Sequence, residues 1–268
     1  MCELAANINH FRKNFPLLTD AGYQVFAVDL LGFGGSDKPK DEDYSIELWV
    51  NLLSDFIKDM NKRQKWVVCG NSIGGLCALG VTAKMNDYVR GITLFNCAQG
   101  MSTFRYEELP FLLKPFIYFF QKVILDPDGY GGKFFENFKT RENVESILIQ
   151  QGVYGDTTNV DEELLEILLG PSEDDGAKDV FLKVFGGDAG PTPEQYLTQL
   201  DEQPILALWG SSDPWVPVDR GNHQGLNFGK YNKGEYKLII LEGAGHCPMD
   251  EAPNKVHTEM IPWLKSLP

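Results

Sequence analysis

Apolar residues in the first hundred positions follow two different periods, which predict strands that alternate with helices. Apolar positions at helical spacing predict an amphipathic helix from about residue 45 to residue 60, and small and apolar residues predict a second helix over 73–85. Runs rich in β-branched and other apolar residues, typical of buried parallel strands, occupy residues 23–29, 65–69 and 89–95. This alternation predicts a parallel α/β sheet.

The pattern changes between residues 99 and 203, where no strand is predicted and helical segments are separated by Gly and Pro. Strand-like runs return at residues 204–210 and 236–241. We therefore predict a core formed by residues 1–98 and 204–268. Residues 99–203 are predicted to be inserted into this core as an all-helical cap.

One stretch of the predicted cap, residues 110–125, is strongly apolar and aromatic. One interpretation is a helix buried between cap and core, and the other is an apolar wall for a long substrate. The two interpretations are compatible, so Phe116, Phe119 and Phe120 are candidate substrate contacts. Peripheral contact with a membrane also stays open, although the stretch lacks the basic face that would support it.

Charge and cysteine content narrow the class of protein. The 268 residues carry a net charge of −14 with 24 scattered Lys and Arg, which argues against a nucleic-acid-binding surface. The five cysteines form no CxxC pair, so we expect free thiols in a reducing compartment. No apolar run reaches the roughly 18 residues that span a bilayer, and no signal or transit peptide is recognisable. The oligomeric state is not predicted.

A serine flanked by glycines follows the run at residues 65–69. Gly70, Ser72 and Gly74 form the G-x-S-x-G pattern of a nucleophile elbow, in which the glycines let a strand and a helix pass closely. The elbow presents its serine at the carboxyl edge of the sheet. Ser72 is therefore the predicted nucleophile, and the N–H of Ile73 is a predicted oxyanion donor.

A serine hydroxyl needs a histidine to take its proton and an acid to orient that histidine. His246 follows a predicted strand among small residues, and Asp213 follows the preceding predicted strand in the same way. The order Ser72, Asp213, His246 is typical of α/β-hydrolases and differs from the orders found in serine proteases. We predict that these three residues form a catalytic triad.

The other histidines and the acids near His246 have simpler interpretations. His10 and His257 fall in predicted helices and His223 in a polar segment, where packing or solvation is the expected role. Asp250 and Glu251 are interpreted as charges at a helix N-terminus.

The motifs together resemble the α/β-hydrolase superfamily over nearly the whole chain. Several motifs are similar in sequence to those of the plant and algal branch containing pheophytinase and chlorophyll dephytylase. They are residues 29–39, 71–75, 209–215 and 245–251, and the cap segment 176–182. This resemblance implies an α/β-hydrolase fold, with a mostly parallel sheet flanked by helices and a helical cap. It also implies hydrolysis of the phytyl ester of chlorophyll or a magnesium-free relative, in a chloroplast. Trp215, in one of these motifs, is a further candidate substrate contact.

The chain departs from this family pattern at its start. Family members carry two or three strands and an oxyanion loop before the position where this chain begins, so Leu4 or Ala5 would have to supply the second oxyanion donor. A family strand also separates the strands that end at Asp29 and Cys69. We therefore expect an N-terminally truncated sheet and an incomplete form of a longer protein, whose missing part carries any transit peptide. Direct pairing of those two strands would contradict this expectation.

The sequence thus predicts a carboxylic ester hydrolase that acts on a small apolar ester and needs no metal or cofactor. Epoxide hydrolases and haloalkane dehalogenases carry aspartate at the elbow, so Ser72 excludes both. Hydrolysis of another ester, a lipid or a carbon–carbon bond stays open. So does a receptor-like or catalytically impaired hydrolase fold. Without the resemblance, the expected location would be the cytoplasm.

Overall fold

The computed structural model describes residues 7–60, 64–102, 104–106, 108–218 and 225–268. In this part of the chain, four parallel strands form one sheet in the order β1-β2-β3-β4. The strands are β1 (Trp66–Asn71), β2 (Val89–Phe95), β3 (Ile205–Gly210) and β4 (Tyr236–Leu241). The predicted parallel α/β sheet flanked by helices is confirmed.

Helices cover both faces of the sheet because its strands are apolar on both sides. In β3, Ile205 and Ala207 pack into one apolar cluster, and Leu206 and Leu208 pack into another on the opposite face. The helices of this core are α1 (Asn14–Asp20), α2 (Ile46–Met60), α3 (Ile73–Lys84), α10 (Pro248–Glu251) and α11 (Pro253–Ser266), together with short 3₁₀ helices at Ile8–Phe11, Asn86–Tyr88 and Gly225–Lys230.

In the described residues between β2 and β3, the regular elements are helices, apart from one isolated bridge between Phe104 and Asp188. This agrees with the helical character predicted for residues 99–203, while the domain boundaries at 98 and 204 stay a prediction. The helices are α4 (Lys114–Phe119), α5 (Tyr130–Phe138), α6 (Arg141–Ile149), α7 (Glu162–Leu169), α8 (Ala177–Phe185) and α9 (Pro193–Leu197), with a π-helix at Phe120–Ile124 and 3₁₀ helices at Phe111–Leu113, Thr157–Asn159 and Gly170–Glu173.

The strand predicted over residues 23–29 was a wrong prediction, because this segment forms no strand in the structure. Its apolar residues are half-buried against the helices, and that burial alone accounts for the apolar period. A strand also needs a backbone partner, and β1 is the outer strand of the described sheet. The segment does not pair with β1, so the pairing that would have contradicted the expected gap in the sheet is not observed.

The apolar stretch of residues 110–125 is largely exposed, so the predicted burial between cap and core was wrong. Most of its described side chains are exposed, with Phe116 71% exposed and Phe119 56% exposed. In the described part of the chain, no helix has the length and apolar character needed to cross a bilayer.

Candidate active site

Ser72 occupies the sharp turn between β1 and α3. Its backbone adopts φ 53° and ψ −121°, a conformation that non-glycine residues rarely adopt. The turn brings strand and helix so close that a Cβ on Gly70 would collide with the backbone of Gly74. The N–H of Ser72 donates to the carbonyl oxygen of Phe95 in β2 at 3.0 Å. These constraints fix Ser72 at the carboxyl edge of the sheet.

Asp213 and His246 form a buried pair at the same edge, in the loops that follow β3 and β4. His246 Nδ1 lies 2.8 Å from Asp213 Oδ2, and the two residues are 1% and 3% exposed. Asp213 Oδ1 accepts from the N–H groups of Trp215 and Val216 at 2.8 and 3.0 Å. Asn96 Nδ2 donates to Oδ2 at 2.6 Å. Each of these hydrogen bonds therefore stabilises the ionised form of the Asp213 carboxylate.

These contacts set the charge state of Asp213. Burial raises its pKa, but the hydrogen bonds from His246, Val216 and Asn96 outweigh this and hold the pKa below the ordinary value. Since the carboxylate is ionised at neutral pH, His246 Nδ1 carries the shared proton. The other ring nitrogen of His246, Nε2, is then left to accept a proton from a nucleophile.

Asn71, the residue before Ser72, joins the elbow to the histidine loop. Its Nδ2 donates to the carbonyl oxygen of His246 at 2.9 Å and to that of Phe95 at 3.2 Å. This link brings the loops of Ser72 and His246 to one place at the sheet edge. The structure thus places Asp213 and His246 in contact and links the loop of His246 to the turn at Ser72 through Asn71.

Glu251 is hydrogen-bonded to the loop that carries His246. Its Oε2 accepts from the N–H of Gly245 at 2.7 Å, and its Oε1 accepts from the N–H of Asp156 at 2.6 Å. Burial raises the pKa of Glu251, against the lowering effect of these hydrogen bonds. Glu251 lies in the first turn of α10, as predicted, but its side chain is buried and also accepts hydrogen bonds from two backbone N–H groups outside that helix.

Asp250 is also buried, but its negative charge is compensated by basic side chains. It lies 3.4 Å from Arg12 and 3.5 Å from Lys13, and it accepts from Tyr154 Oη at 3.0 Å. His10 Nε2 lies 2.6 Å from the same tyrosine oxygen. This buried polar group ties the 3₁₀ helix at the start of the described chain to α10.

The predicted oxyanion donors can be placed only in part. Ile73 is the first residue of α3, where a backbone N–H has no acceptor within its own helix. This N–H follows Ser72 directly, as the elbow requires. Leu4 and Ala5 lie outside the described residues, as do Cys2 and His223. The other four cysteines, Cys69, Cys77, Cys97 and Cys247, are thiols rather than disulfides.

Trp215 is the predicted substrate contact that lies at the site. Its indole packs edge-on against the His246 ring with centroids 4.9 Å apart, and it is 55% exposed. It also lines an apolar cavity of about 160 Å³ beneath the helices of the predicted cap. The other apolar walls of this cavity include Phe135, Phe138, Leu168, Val180 and Phe181.

The structure does not bring Phe116, Phe119 or Phe120 to this cavity. Phe116 and Phe119 are exposed on the outer surface, and Phe120 packs against Phe104 with ring centroids 5.9 Å apart. The aromatic wall expected from residues 110–125 is supplied instead by α5 and α8. The substrate contacts predicted at Phe116, Phe119 and Phe120 therefore stay predictions.

Sequence reasoning missed Asn96, Asn71 and Glu251 as residues that hold the site together. Asn96 ends a buried strand at the carboxyl edge of the sheet, and a polar residue there is the one signal that could have identified it. In the described part of the chain, no cluster of His, Cys, Asp and Glu side chains is placed to bind a metal ion.

Comparison with known proteins defines the fold family of the chain. A family model described as the alpha/beta hydrolase fold matches residues 4–253. The chain therefore belongs to the α/β-hydrolase fold family. A solved serine hydrolase involved in carbazole degradation, the CarC enzyme, has the same fold, with a TM-score of 0.73 at 22% identity over 98% of this chain and 87% of that one.

Two curated relatives are similar to the chain in sequence. The chain is 37% identical over 94 residues to the 2-hydroxy-6-oxo-6-(2'-aminophenyl)hexa-2,4-dienoic acid hydrolase of Metapseudomonas resinovorans, a match covering 35% of the chain and 32% of that protein. It is 25% identical over 316 aligned positions to the chloroplastic pheophytinase of Arabidopsis thaliana, covering 96% of the chain and 59% of that protein. The chain thus spans less than two thirds of either relative.

Proposed function

We propose that the chain is a serine hydrolase that cleaves a carboxylic ester. The observation that supports this best is the buried 2.8 Å contact between His246 Nδ1 and Asp213, on loops adjoining the strained turn at Ser72. This arrangement would supply Ser72 with a base that is oriented and electrostatically stabilised. Membership of the α/β-hydrolase family supports the same reaction class.

The proposed reaction has two halves. His246 Nε2 takes the proton of Ser72 as Oγ attacks the ester carbonyl, and the N–H of Ile73 donates to the oxyanion. His246 then protonates the leaving alcohol, and an acyl-enzyme on Ser72 remains. Water, deprotonated by His246, attacks the acyl carbon, and Ser72 recovers its proton as the carboxylic acid leaves. Asp213 stabilises the imidazolium in both halves.

We further propose that the substrate is the phytyl ester of chlorophyll or pheophytin. Three observations support it: the motif resemblance to the dephytylating branch, the similarity to pheophytinase, and the apolar cavity beside Trp215. The cavity would hold part of the isoprenoid chain. This substrate also implies a plastid location, and it would give the exposed apolar residues 110–125 a pigment-bearing membrane to contact.

A second candidate is hydrolysis of a carbon–carbon bond in a small dienoic acid. It is favoured by the 37% identity to the aminophenyl-hexadienoic acid hydrolase, which is confined to about a third of the chain. The same serine, histidine and aspartate would serve that reaction. The substrate therefore has to be separated by assay.

The test measures hydrolysis of pheophytin a, chlorophyll a, a short-chain nitrophenyl ester and a 2-hydroxy-6-oxo-dienoic acid by the purified chain. Ser72→Ala serves as the inactive variant and Ser146→Ala, on α6, as its matched control, with circular dichroism verifying that all are folded. Phytol release that is lost only in Ser72→Ala supports the phytyl ester. Turnover of the short ester or the dienoic acid alone rejects that substrate but keeps the serine hydrolase. A folded chain without any activity contradicts the proposed function.

A further inference from the structure

The residues that follow α6 lie against the loop that carries His246. We call residues 153–156 the clamp segment, and they belong to the region predicted as the cap. Val153 and Tyr154 are each 1% exposed, although they lie outside the regular helices. Buried backbone groups need hydrogen-bond partners, and those of the clamp segment include His246 itself.

The backbone of His246 is hydrogen-bonded to the clamp segment. The N–H of His246 donates to the carbonyl oxygen of Val153 at 2.8 Å. The preceding residue, Gly245, donates to one carboxylate oxygen of Glu251, and the other oxygen accepts from the N–H of Asp156 at 2.6 Å. The clamp segment therefore fixes the backbone of the histidine loop both directly and through a shared carboxylate.

The two backbones pack too closely to admit a side chain between them. A Cβ on Gly155 would lie 2.1 Å from the carbonyl oxygen of Gly243, and a Cβ on Gly245 would lie 2.2 Å from that of Val153. Real Cβ atoms do not approach backbone oxygens this closely. Glycine at both positions is therefore what lets the clamp segment lie against the loop of His246.

The side chain of Tyr154 anchors the clamp segment beyond His246 in the chain. Its hydroxyl donates to Asp250 at 3.0 Å, at the carboxylate that faces two basic side chains. Because the one hydroxyl proton is used in this way, His10 Nε2 is the donor in its 2.6 Å contact with Tyr154 Oη. The clamp segment is thus bonded to the chain on both sides of His246.

The same segment forms part of the apolar cavity beside Trp215. Val153 lines this cavity, together with Leu148 and Cys247. An apolar chain in the cavity would therefore contact Val153, whose carbonyl oxygen accepts from the N–H of His246. The clamp segment connects the space for a substrate with the loop of the base.

We propose that the clamp segment positions His246 for proton transfer, with Val153 and Tyr154 as positioning residues. This inference rests on the proposed role of His246 as the base. A cap that only enclosed long substrates would be dispensable for a short ester. A cap that also positions the base takes part in the hydrolysis of every ester, because proton transfer by His246 is common to all of them.

The experiment compares Gly155→Ala with Gly170→Ala in the full chain, on a short-chain nitrophenyl ester. Gly155 has no positive φ, so its variant tests the contact with Gly243 and not the backbone conformation. At Gly170, in the same helical region, an added Cβ meets no atom of the described chain within 4 Å. Amide exchange followed by NMR reports on the N–H of His246, and the N–H of Ser72, bonded to β2, is the internal reference.

We expect Gly155→Ala to lower kcat about hundredfold with KM nearly unchanged, because a displacement of about 1 Å at a reacting group has this effect. Exchange at His246 should become about tenfold faster, since its hydrogen bond to Val153 is weakened. Exchange at Ser72 should stay the same. Gly170→Ala should change none of these quantities.

Tyr154→Phe is the second variant, and it decides the matter where circular dichroism shows that Gly155→Ala does not fold. It keeps the aromatic ring and removes only the hydroxyl that reaches Asp250. Tyr130→Phe, at a position that is 69% exposed, is its matched control. We expect Tyr154→Phe to lower kcat for the short ester about tenfold with KM nearly unchanged, and Tyr130→Phe to have no effect.

An active native chain whose kcat for the short ester is unchanged in the folded variants overturns the inference. A loss confined to the phytyl ester also overturns it, because the cap would then act on substrate access alone. Equally faster exchange at His246 and Ser72 overturns it as well, since the whole fold would then be loosened. A native chain that hydrolyses no ester is a separate outcome, which overturns the serine hydrolase itself and this inference with it.

Discussion

Asn96 Nδ2 lies 2.6 Å from Asp213 Oδ2, the same oxygen that accepts the hydrogen bond from His246. The side-chain oxygen of Asn96 accepts from the N–H of Gly210 at 3.1 Å, so the residue links the ends of β2 and β3. Asn96 has a positive φ of 41°, a conformation that is costly for residues other than glycine and is more tolerable for asparagine. A strained, buried amide at this point acts as a positioning residue for Asp213.

Replacing Asn96 should therefore weaken catalysis without removing any reacting group. We expect Asn96→Gly, which suits the positive φ, to lower kcat about tenfold or more, since a hydrogen bond to a charged group contributes about 1.5–3 kcal/mol. Loss of this donor should also raise the pKa of Asp213. The acid limb of the kcat/KM profile should then move to higher pH.

The control for this prediction is Thr82→Ala, which removes a buried hydrogen bond to Ala78 inside α3, away from the active site. It should leave the pH profile unchanged. A purely structural role for Asn96 would give two variants with equal losses of stability and unshifted profiles, and would contradict the positioning role.

The turn at Ser72 predicts a difference between two inactive variants. Ser72→Ala keeps a Cβ at φ 53°, whereas Ser72→Gly relieves the strain that such a conformation imposes, of order 1–3 kcal/mol. Urea unfolding should show Ser72→Gly to be more stable than Ser72→Ala by about 1 kcal/mol. This net gain is smaller than the strain relieved, because glycine also gains entropy in the unfolded state, which opposes folding. Both variants should lose all ester hydrolysis. Equal stability would mean that the strain relieved by glycine is no larger than the entropy that glycine gains in the unfolded state.

The parts of the fold that the sequence predicted well are those with a local physical cause. The bounds of β2 match the predicted run, because buried parallel strands are apolar throughout and are bounded by polar residues. The elbow could be identified because steric contact between strand and helix demands glycine at Gly70. His246 stood out because it is the one histidine that follows a strand among small residues.

The parts that the sequence missed depend on distant contacts. Asn96 and Asp213 are 117 positions apart, and Glu251 and Asp156 are 95 apart, so no local pattern indicates either pair. The segment at residues 23–29 is apolar because it is partly buried, as a strand of the sheet would be. The spacing of apolar residues indicates burial, but it does not show whether the backbone pairs with a neighbouring strand. The apolar stretch containing Phe116 is exposed, and composition alone does not decide which of two apolar helices is buried.

The lowered pKa of Asp213 predicts how stability depends on pH. In the unfolded chain its pKa is near 3.8, and in the folded chain it is lower, so the folded state favours the ionised form. Its contribution to the free energy of unfolding is therefore complete well above pH 3.8 and is lost as the pH falls through the folded value. Urea unfolding of the native chain and Asp213→Asn at a series of pH values should show a difference that shrinks on acidification. A difference that is independent of pH would contradict this assignment.

Glu251 should behave in the opposite way, because burial raises its pKa above 4.5. Ionising a carboxyl group whose folded pKa is raised costs stability as the pH rises from 4.5 through the folded value. Glu251→Gln escapes this cost, but it places an amide donor against one of the two backbone donors, at Gly245 or Asp156. We expect the free energy of unfolding of Glu251→Gln to be lower than that of the native chain, by a difference that shrinks as the pH rises.

The same substitution should slow the enzyme, because Gly245 directly precedes His246. We expect kcat to fall about tenfold with KM nearly unchanged, as one unsatisfied buried donor costs about 1–3 kcal/mol. The matched control is Glu259→Gln on α11, which removes an exposed ion pair with Lys237 of β4. An equal loss of kcat in both variants would show that Glu251 has no specific effect on the histidine loop.

The apolar cavity beside Trp215 predicts selectivity for long substrates. Ala177, the buried first residue of α8, lines this cavity, so Ala177→Phe should fill much of its 160 Å³. If the cavity holds part of an isoprenoid chain, kcat/KM for the phytyl ester should fall about 10–200-fold, the range expected when a few apolar contacts are lost. Hydrolysis of an acetyl ester should be almost unchanged, because that substrate needs only the triad and the oxyanion donor. Ala177→Ser, which keeps the volume, is the control. Equal losses on both esters would place the long chain elsewhere on the protein, and thermal unfolding of both variants separates this outcome from damage to the fold.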